Sequence, residues 1–213
     1  MSKGRLISFE GLDGAGKTTQ MDLLEQWLES RGVPYVRTRE PGGTPLGVEI
    51  RHLLLNRPEL AITSLAEAFL FQADRAQHFA TLVVPALSEG KLVITDRCFD
   101  ASIAYQGYAR GVGMELVEQL SMLATQGYKP DLTILLDLDP SEVHKRTGTG
   151  SDQRSMREER TRFDAEAEEF HKRVQEGFRA LARAHPERIK VINASRLPQE
   201  IHKEIIELVK PLL

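Results

Sequence analysis

Cysteine, long apolar runs and an excess of either charge are all scarce in this sequence. Cys98 is the only cysteine, so no internal disulfide can form, which fits a reducing compartment. The longest apolar runs, such as "LVVPAL" and "LTILLDL", are far too short to span a bilayer. The N-terminal "MSKGRLISFEG" offers no signal-type apolar region, because Glu10 interrupts it early. With 28 Lys and Arg against 31 Asp and Glu, the net charge of −3 sets up no global field for nucleic acid or an anionic membrane. The six histidines are scattered without metal-ligand spacing. There is no internal repeat and no strong domain break. These absences point to a soluble cytoplasmic protein.

What remains is ordinary globular composition, 41% hydrophobic and 28% charged over 213 residues. That length suits a single domain, 1–213, with a core that needs no staples. Short β-rich apolar runs alternate with longer helical ones. "RLISF" (5–9), "PYVRT" (34–38), "KLVITD" (91–96), "DLTILLDLD" (131–139) and "RIKVIN" (188–193) read as strands. Helices are expected over 17–31, 45–55, 116–125 and 198–209, with Gly32 as a stop and Pro45 at a first helical position. Ser64-x-x-Glu67 reads as a capping box before a long helix, which Pro85 kinks or ends. Asp139-Pro140 reads as an N-cap with proline at N1. The pattern implies an α/β three-layer sandwich: a five-stranded parallel sheet flanked by helices. The glycine loop after the first strand, the Arg39 turn, Asp96-Arg97 and Asp139 all follow strand ends. They therefore fall on the rim where such sheets bind ligands.

"KRTGTGSDQRSMREERTR" (145–162) breaks this pattern, being polar and dense in arginine. It reads either as a solvated loop or as a mobile lid that folds over an anion with Arg146, Arg154, Arg157, Arg160 and Arg162.

Gly11-Leu12-Asp13-Gly14-Ala15-Gly16-Lys17-Thr18 matches G-x-x-x-x-G-K-[ST], followed by Thr19. It follows an expected strand and opens an expected helix, the context that such a P-loop requires. Glycines let successive N–H groups turn inward around phosphate, and the helix adds its positive end. Lys17 suits the β- and γ-phosphates of ATP, and the Thr18 hydroxyl suits Mg²⁺. Asp96, ending a strand, is either an N-cap or a ligand of Mg²⁺ through water. Arg97 suits a phosphate clamp or a structural ion pair. Asp13 is either a turn former or an acceptor for a hydroxyl of a second substrate. Phe71 and Arg75, at i and i+4, suit a base-reading sandwich or a core phenylalanine beside an exposed arginine. Cys98 lacks a partner base, so no thiol nucleophile is expected.

"FEGLDGAGKTTQ", "TREPGGTPLGVEIRHLLL", "FLFQADRAQH", "TDRCFDASIAYQG" and "PDLTILLDLDP" occur in order and together resemble thymidylate kinases. The likeness resumes at "RFDAEAEEFHKRV" and covers most of the chain. It implies transfer of the γ-phosphoryl of ATP to dTMP with Mg²⁺, in a homodimer that packs long helices together. It further implies that Asp13 holds the sugar 3′-hydroxyl, and that Arg51 and Arg97 hold the acceptor phosphate, with Arg39 nearby. Phe71 would stack on thymine, Arg75 would bond the base, and Ser102 would sit near its edge. Tyr105 would crowd the 2′ position, with Gln106 completing that wall. Members carry the extra arginine either in the phosphate loop or in the lid. Gly14 stands at the loop position, so the resemblance puts the charge in the lid, on Arg162, Arg154 or Arg157. Arg146 would line the adenine pocket. Another P-loop kinase, acting on a different nucleotide or small molecule, is the alternative. A nucleotide-binding regulatory protein without turnover is disfavoured, because Lys17, Thr18, Asp96 and Arg97 are all present.

Overall fold

A computed structural model describes residues 4–142 and 168–213; the arginine-rich segment 145–162, with Arg146, Arg154, Arg157, Arg160 and Arg162, lies outside them. Five strands form one parallel sheet: β1 (Arg5–Glu10), β2 (Tyr35–Arg39), β3 (Leu92–Asp96), β4 (Leu132–Asp137) and β5 (Ile189–Asn193). Their order across the sheet is β2-β3-β1-β4-β5. Each lies within two residues of its expected bounds. The reason is burial on both faces, which makes a parallel strand an unbroken apolar run.

Alternate strand residues feed two cores. Leu6, Val93 and Leu135 join one; Ile7, Ile94 and Ile134 join the other. The second core is closed by α1 (Lys17–Ser30), through Met21, Leu24 and Leu28, and by α8 (Pro198–Val209), through Ile201, Ile205 and Val209. The first takes residues from α2 (Pro45–Asn56), α5 (Phe99–Ser102), α6 (Met114–Ala124) and α7 (Glu168–Ala184). Thr44 caps α2 by accepting from Gly47 N–H at 3.0 Å, with Pro45 inside the first turn. Asp139 accepts from Ser141 N–H at 2.8 Å, the N-cap expected beside Pro140.

Three features depart from expectation. The capping box at Ser64 does not form: the N-cap of α3 (Ser64–His78) is Thr63, without a side-chain bond. Glu67 is buried instead and accepts from Gln106 Nε2 at 2.8 Å. A buried partner holds the carboxylate better than a solvent-side N–H does. Pro85 does not end its helix. The chain passes through a π-helical turn, Phe79–Val83, with Val84 N–H bonded to Phe79 O, and resumes as α4 (Val84–Ser88) with proline in its first turn. Finally, α5 and the π-helical stretch Ile103–Ala109 form a helix where none was expected. Nearly every residue there is buried, so no polar face marks the period. Gly177 lets α7 cross it closely, since a Cβ there would lie 3.1 Å from Ala104 Cα.

Candidate active site

The loop between β1 and α1 wraps tightly. Gly11 (φ 132°), Gly14 (φ 80°) and Gly16 (φ 100°) all occupy the half of backbone space that side chains resist. A Cβ at Gly11 would sit 2.5 Å from Leu136 O, so the loop needs glycine to lie against β4. Leu12 and Ala15 are buried beneath it. Lys17 is buried and curls over the loop, donating to Leu12 O at 3.2 Å and Gly11 O at 3.4 Å. Thr18 is exposed and Thr19 half-buried in the first turn of α1, beside the positive helix end.

The end of β3 folds against that loop. Arg97 has φ 71°, a left-handed conformation that costs a non-glycine residue about 1–3 kcal/mol. Its N–H donates to Phe9 O at 2.9 Å, and its carbonyl accepts from Thr95 Oγ1 at 2.8 Å. The guanidinium donates to Gly11 O at 3.0 Å, to Asp13 Oδ1 at 2.7 Å and to Tyr105 Oη at 3.4 Å. It also stacks 5.1 Å from the Tyr105 ring centroid. Burial opposes the charge on Arg97, but Tyr105, Asp13, Asp96 and Glu10 together hold it firmly protonated. Next to it, Asp96 Oδ1 is buried with no hydrogen-bond partner among the described residues, while Oδ2 lies 3.8 Å from Arg39 Nη2. An orphaned carboxylate oxygen at this rim fits a hydrated Mg²⁺. Among the described residues no three His, Cys, Asp or Glu side chains gather into a dedicated cage. Mg²⁺ commonly uses one or two carboxylates plus substrate phosphates, so Asp96 with Thr18 is a suitable donor set.

Beyond the β2 end lies a buried polar network. Arg75 is fully buried. It donates to Glu40 Oε2 at 2.8 Å, Gln72 Oε1 at 2.8 Å and Ser102 Oγ at 3.1 Å. Glu40 Oε1 pairs with His78 Nδ1 at 3.0 Å, and His78 Nε2 with Thr38 Oγ1 at 2.7 Å. Desolvation works to raise the Glu40 pKa, yet Arg75 and His78 pull it below the usual carboxylate range. Removing one member of a buried pair of this kind costs about 3–5 kcal/mol. Arg51 donates to Pro41 O at 3.1 Å, and Phe71 is partly buried against the core.

These motifs agree with what the chain is similar to. The family described as "Thymidylate kinase" matches residues 9–205. The chain belongs to the thymidylate kinase family. A thymidylate kinase of Pelotomaculum thermopropionicum is 46% identical over 99% of this chain and 95% of its own length. One of Clostridium novyi is 42% identical over 96% of this chain and 98% of its own. The crystal structure of thymidylate kinase from Ehrlichia chaffeensis superposes with a TM-score of 0.76 at 36% identity, covering 98% of this chain and 99% of that one. The reaction of thymidylate kinases is phosphorylation of dTMP to dTDP.

The structure brings Lys17, Asp13, Arg97 and Tyr105 into one cluster, with Asp96 and Arg39 beside it. Arg75 and Ser102 meet in the second cluster, and Gln106 pairs with Glu67 nearby. Burial reverses the alternative considered for the Phe71 and Arg75 pair: the arginine is the core residue and the phenylalanine the more accessible one. Burial raises the Cys98 thiol well above its ordinary range, in keeping with no nucleophilic role. Sequence reasoning missed Glu40, His78, Glu10 and Thr95. "REPGG" and "DRAQH" carried a sign of the first two, since the glutamate follows an arginine directly and the histidine follows one by three residues, on the same helix face.

Proposed function

We propose that this protein transfers the γ-phosphoryl group of ATP to the phosphate of dTMP in a Mg²⁺-dependent reaction. The observation that carries this reading is the convergence of Lys17 and Arg97 on the P-loop, tied together by Asp13. Backbone N–H groups of Gly11, Leu12, Asp13, Gly14, Ala15 and Gly16, with Lys17, Thr18 and Thr19, hold the donor phosphates. Thr18, and Asp96 through water, would hold Mg²⁺, which would supply charge neutralisation at the transferring group. Arg97, Arg51 and Arg39 orient the acceptor phosphate, whose oxygen forms the new bond to the γ-phosphorus as the bridge to ADP breaks. The acceptor is already ionised, so positioning and electrostatics suffice without a strong base. Phe71, Arg75 and Ser102 receive the base; Tyr105 and Gln106 wall off the 2′ position. The resemblance assigns the remaining charge to arginines of the segment 145–162 and the adenine pocket to Arg146, all outside the described residues.

A homodimer is part of the same proposal. Leu65 and Phe69 of α3, and Leu116 and Leu123 of the adjacent α6, are large apolar side chains left exposed. Together they form a face suited to a second copy. Cytoplasmic localisation is supported by the lone, buried Cys98. Among the described residues no helix is long and apolar enough to cross a membrane. A coupled ADP-release assay across nucleoside monophosphates tests the function. Preferred turnover of dTMP is expected; rapid turnover only with another acceptor would overturn it.

A further inference from the structure

Glu10 is the last residue of β1 and is fully buried, and beyond its electrostatic pull on Arg97 it has no role assigned above. Its Oε1 accepts from Cys98 N–H at 2.8 Å. Its Oε2 is buried without a hydrogen-bond partner among the described residues. A buried carboxyl group held by one backbone N–H is costly, and an apolar side chain would fill the same volume without that cost.

The bond falls at a telling place. Cys98 follows Arg97, whose left-handed φ of 71° sets the direction of its side chain. Three bonds pin that turn: Arg97 N–H to Phe9 O, Thr95 Oγ1 to Arg97 O, and Cys98 N–H to Glu10 Oε1. The neighbouring residue then catches the side chain, since the Arg97 guanidinium donates to Gly11 O at 3.0 Å. Adjacent residues, Glu10 and Gly11, thus hold the backbone and the head of the same arginine.

We propose that Glu10 is a positioning residue for Arg97: its carboxyl oxygen accepts from Cys98 N–H and locks the turn that aims the guanidinium into the phosphate loop. Thr95 is the second half of the clasp. The inference rests on the assignment of Arg97 to the acceptor phosphate.

The test uses Glu10→Met, Glu10→Gln, Thr95→Val and Arg97→Ala, with steady-state kinetics for both substrates and thermal melting. Methionine fills the volume but cannot accept the bond. E10M should lower kcat/KM for dTMP about 10–100-fold, change KM for ATP less than about threefold, and melt no lower than wild type. E10Q keeps an acceptor oxygen and should restore most of the loss. T95V should show the same acceptor-selective defect. E10M with wild-type dTMP kinetics, or with both substrates weakened in step with a fallen melting temperature, would overturn the proposal. If E10M does not fold, T95V and E10Q decide: T95V with wild-type kinetics overturns it, and a dTMP-selective loss in T95V that E10Q lacks supports it. If R97A retains wild-type dTMP kinetics, the reading of Arg97 itself fails. If R97A is impaired and E10M is not, only the role of Glu10 fails.

Discussion

Asp13 Oδ1 lies 2.7 Å from Arg97 Nη2 and 3.5 Å from Lys17 Nζ, so one loop carboxylate ties together the two cations of the phosphate site. Desolvation works to raise its pKa, but Arg97 and then Lys17 outweigh it and leave the carboxyl well below the usual range. Asp13 is therefore ionised at every useful assay pH. Because its side chain is half-exposed, it remains open to a substrate hydroxyl. Asp13→Asn keeps the shape and removes the charge that orders both cations. We expect kcat/KM for dTMP to fall about 10–100-fold, with KM for ATP changed less than about threefold. Unaltered dTMP kinetics would show that Arg97 needs no such anchor.

The loop itself holds a single cation, Lys17, because Gly14 stands where some thymidylate kinases carry arginine. Phosphoryl transfer spreads charge over three equatorial oxygens, so further donors must arrive from elsewhere. Arg162, in register with "RFD", is the first candidate. Arg162→Ala should lower kcat about 10²–10³-fold while KM for dTMP moves less than about threefold. If kcat stays at the wild-type value, the same measurement on Arg154→Ala and Arg157→Ala finds the donor.

Tyr105 is wedged between the phosphate site and α7. Its ring meets Phe170 and Phe178 edge-on, each centroid 6.1 Å away, while its hydroxyl accepts from Arg97. Burial raises its phenol well above the ordinary range, so it stays neutral. Ring bulk, held rigid by two aromatic neighbours, is what a wall against a 2′-hydroxyl requires. Tyr105→Ala should relax discrimination between dTMP and its ribo analogue about tenfold, and Tyr105→Phe by less. Truncation of a buried aromatic also costs about 3–5 kcal/mol of stability, so melting curves must accompany the kinetics. Equal discrimination in Y105A and wild type would remove Tyr105 from that wall.

How legible these features were in the sequence follows from how local their causes are. The P-loop is a run of adjacent residues whose glycines, lysine and threonine each have a local job, so Gly11 to Thr18 could be read directly. Strands β1, β3 and β4 were legible because burial on both sides makes them mostly apolar, in runs such as "LVI" and "ILL". Arg75 was not, because its burial depends on Glu40, 35 residues away in the chain. The Phe99–Ala109 helix was hidden for the opposite reason from a loop: it has no wet face to reveal a period. Glu67 misled because a capping box and a buried Glu-Gln pair use the same letter.

Asp74 gives the network beside Arg75 a pH signature. It is fully buried; Oδ1 accepts from Gly42 N–H at 2.9 Å and Oδ2 has no hydrogen-bond partner among the described residues. Burial, and then the Glu40 charge, push its pKa from an ordinary 3.8 up to about 7, against the pull of Gly42 N–H, Arg75 and His78. Between those values the native state holds a proton that the unfolded chain releases. Stability contributed by this group therefore falls as pH rises through that window, and the loss is complete above about 7. Glu40, with its pKa lowered, acts in the opposite sense and loses its contribution only as pH falls below the usual carboxylate range. Asp74→Asn keeps the oxygen that accepts from Gly42 and abolishes the titration. In urea unfolding at pH 5 and pH 8, the variant should gain on wild type as pH rises, by a few kcal/mol across the window. A stability difference that stays constant with pH would mean that Asp74 is ionised in the native protein throughout, and that the network carries one more charge than its burial suggests.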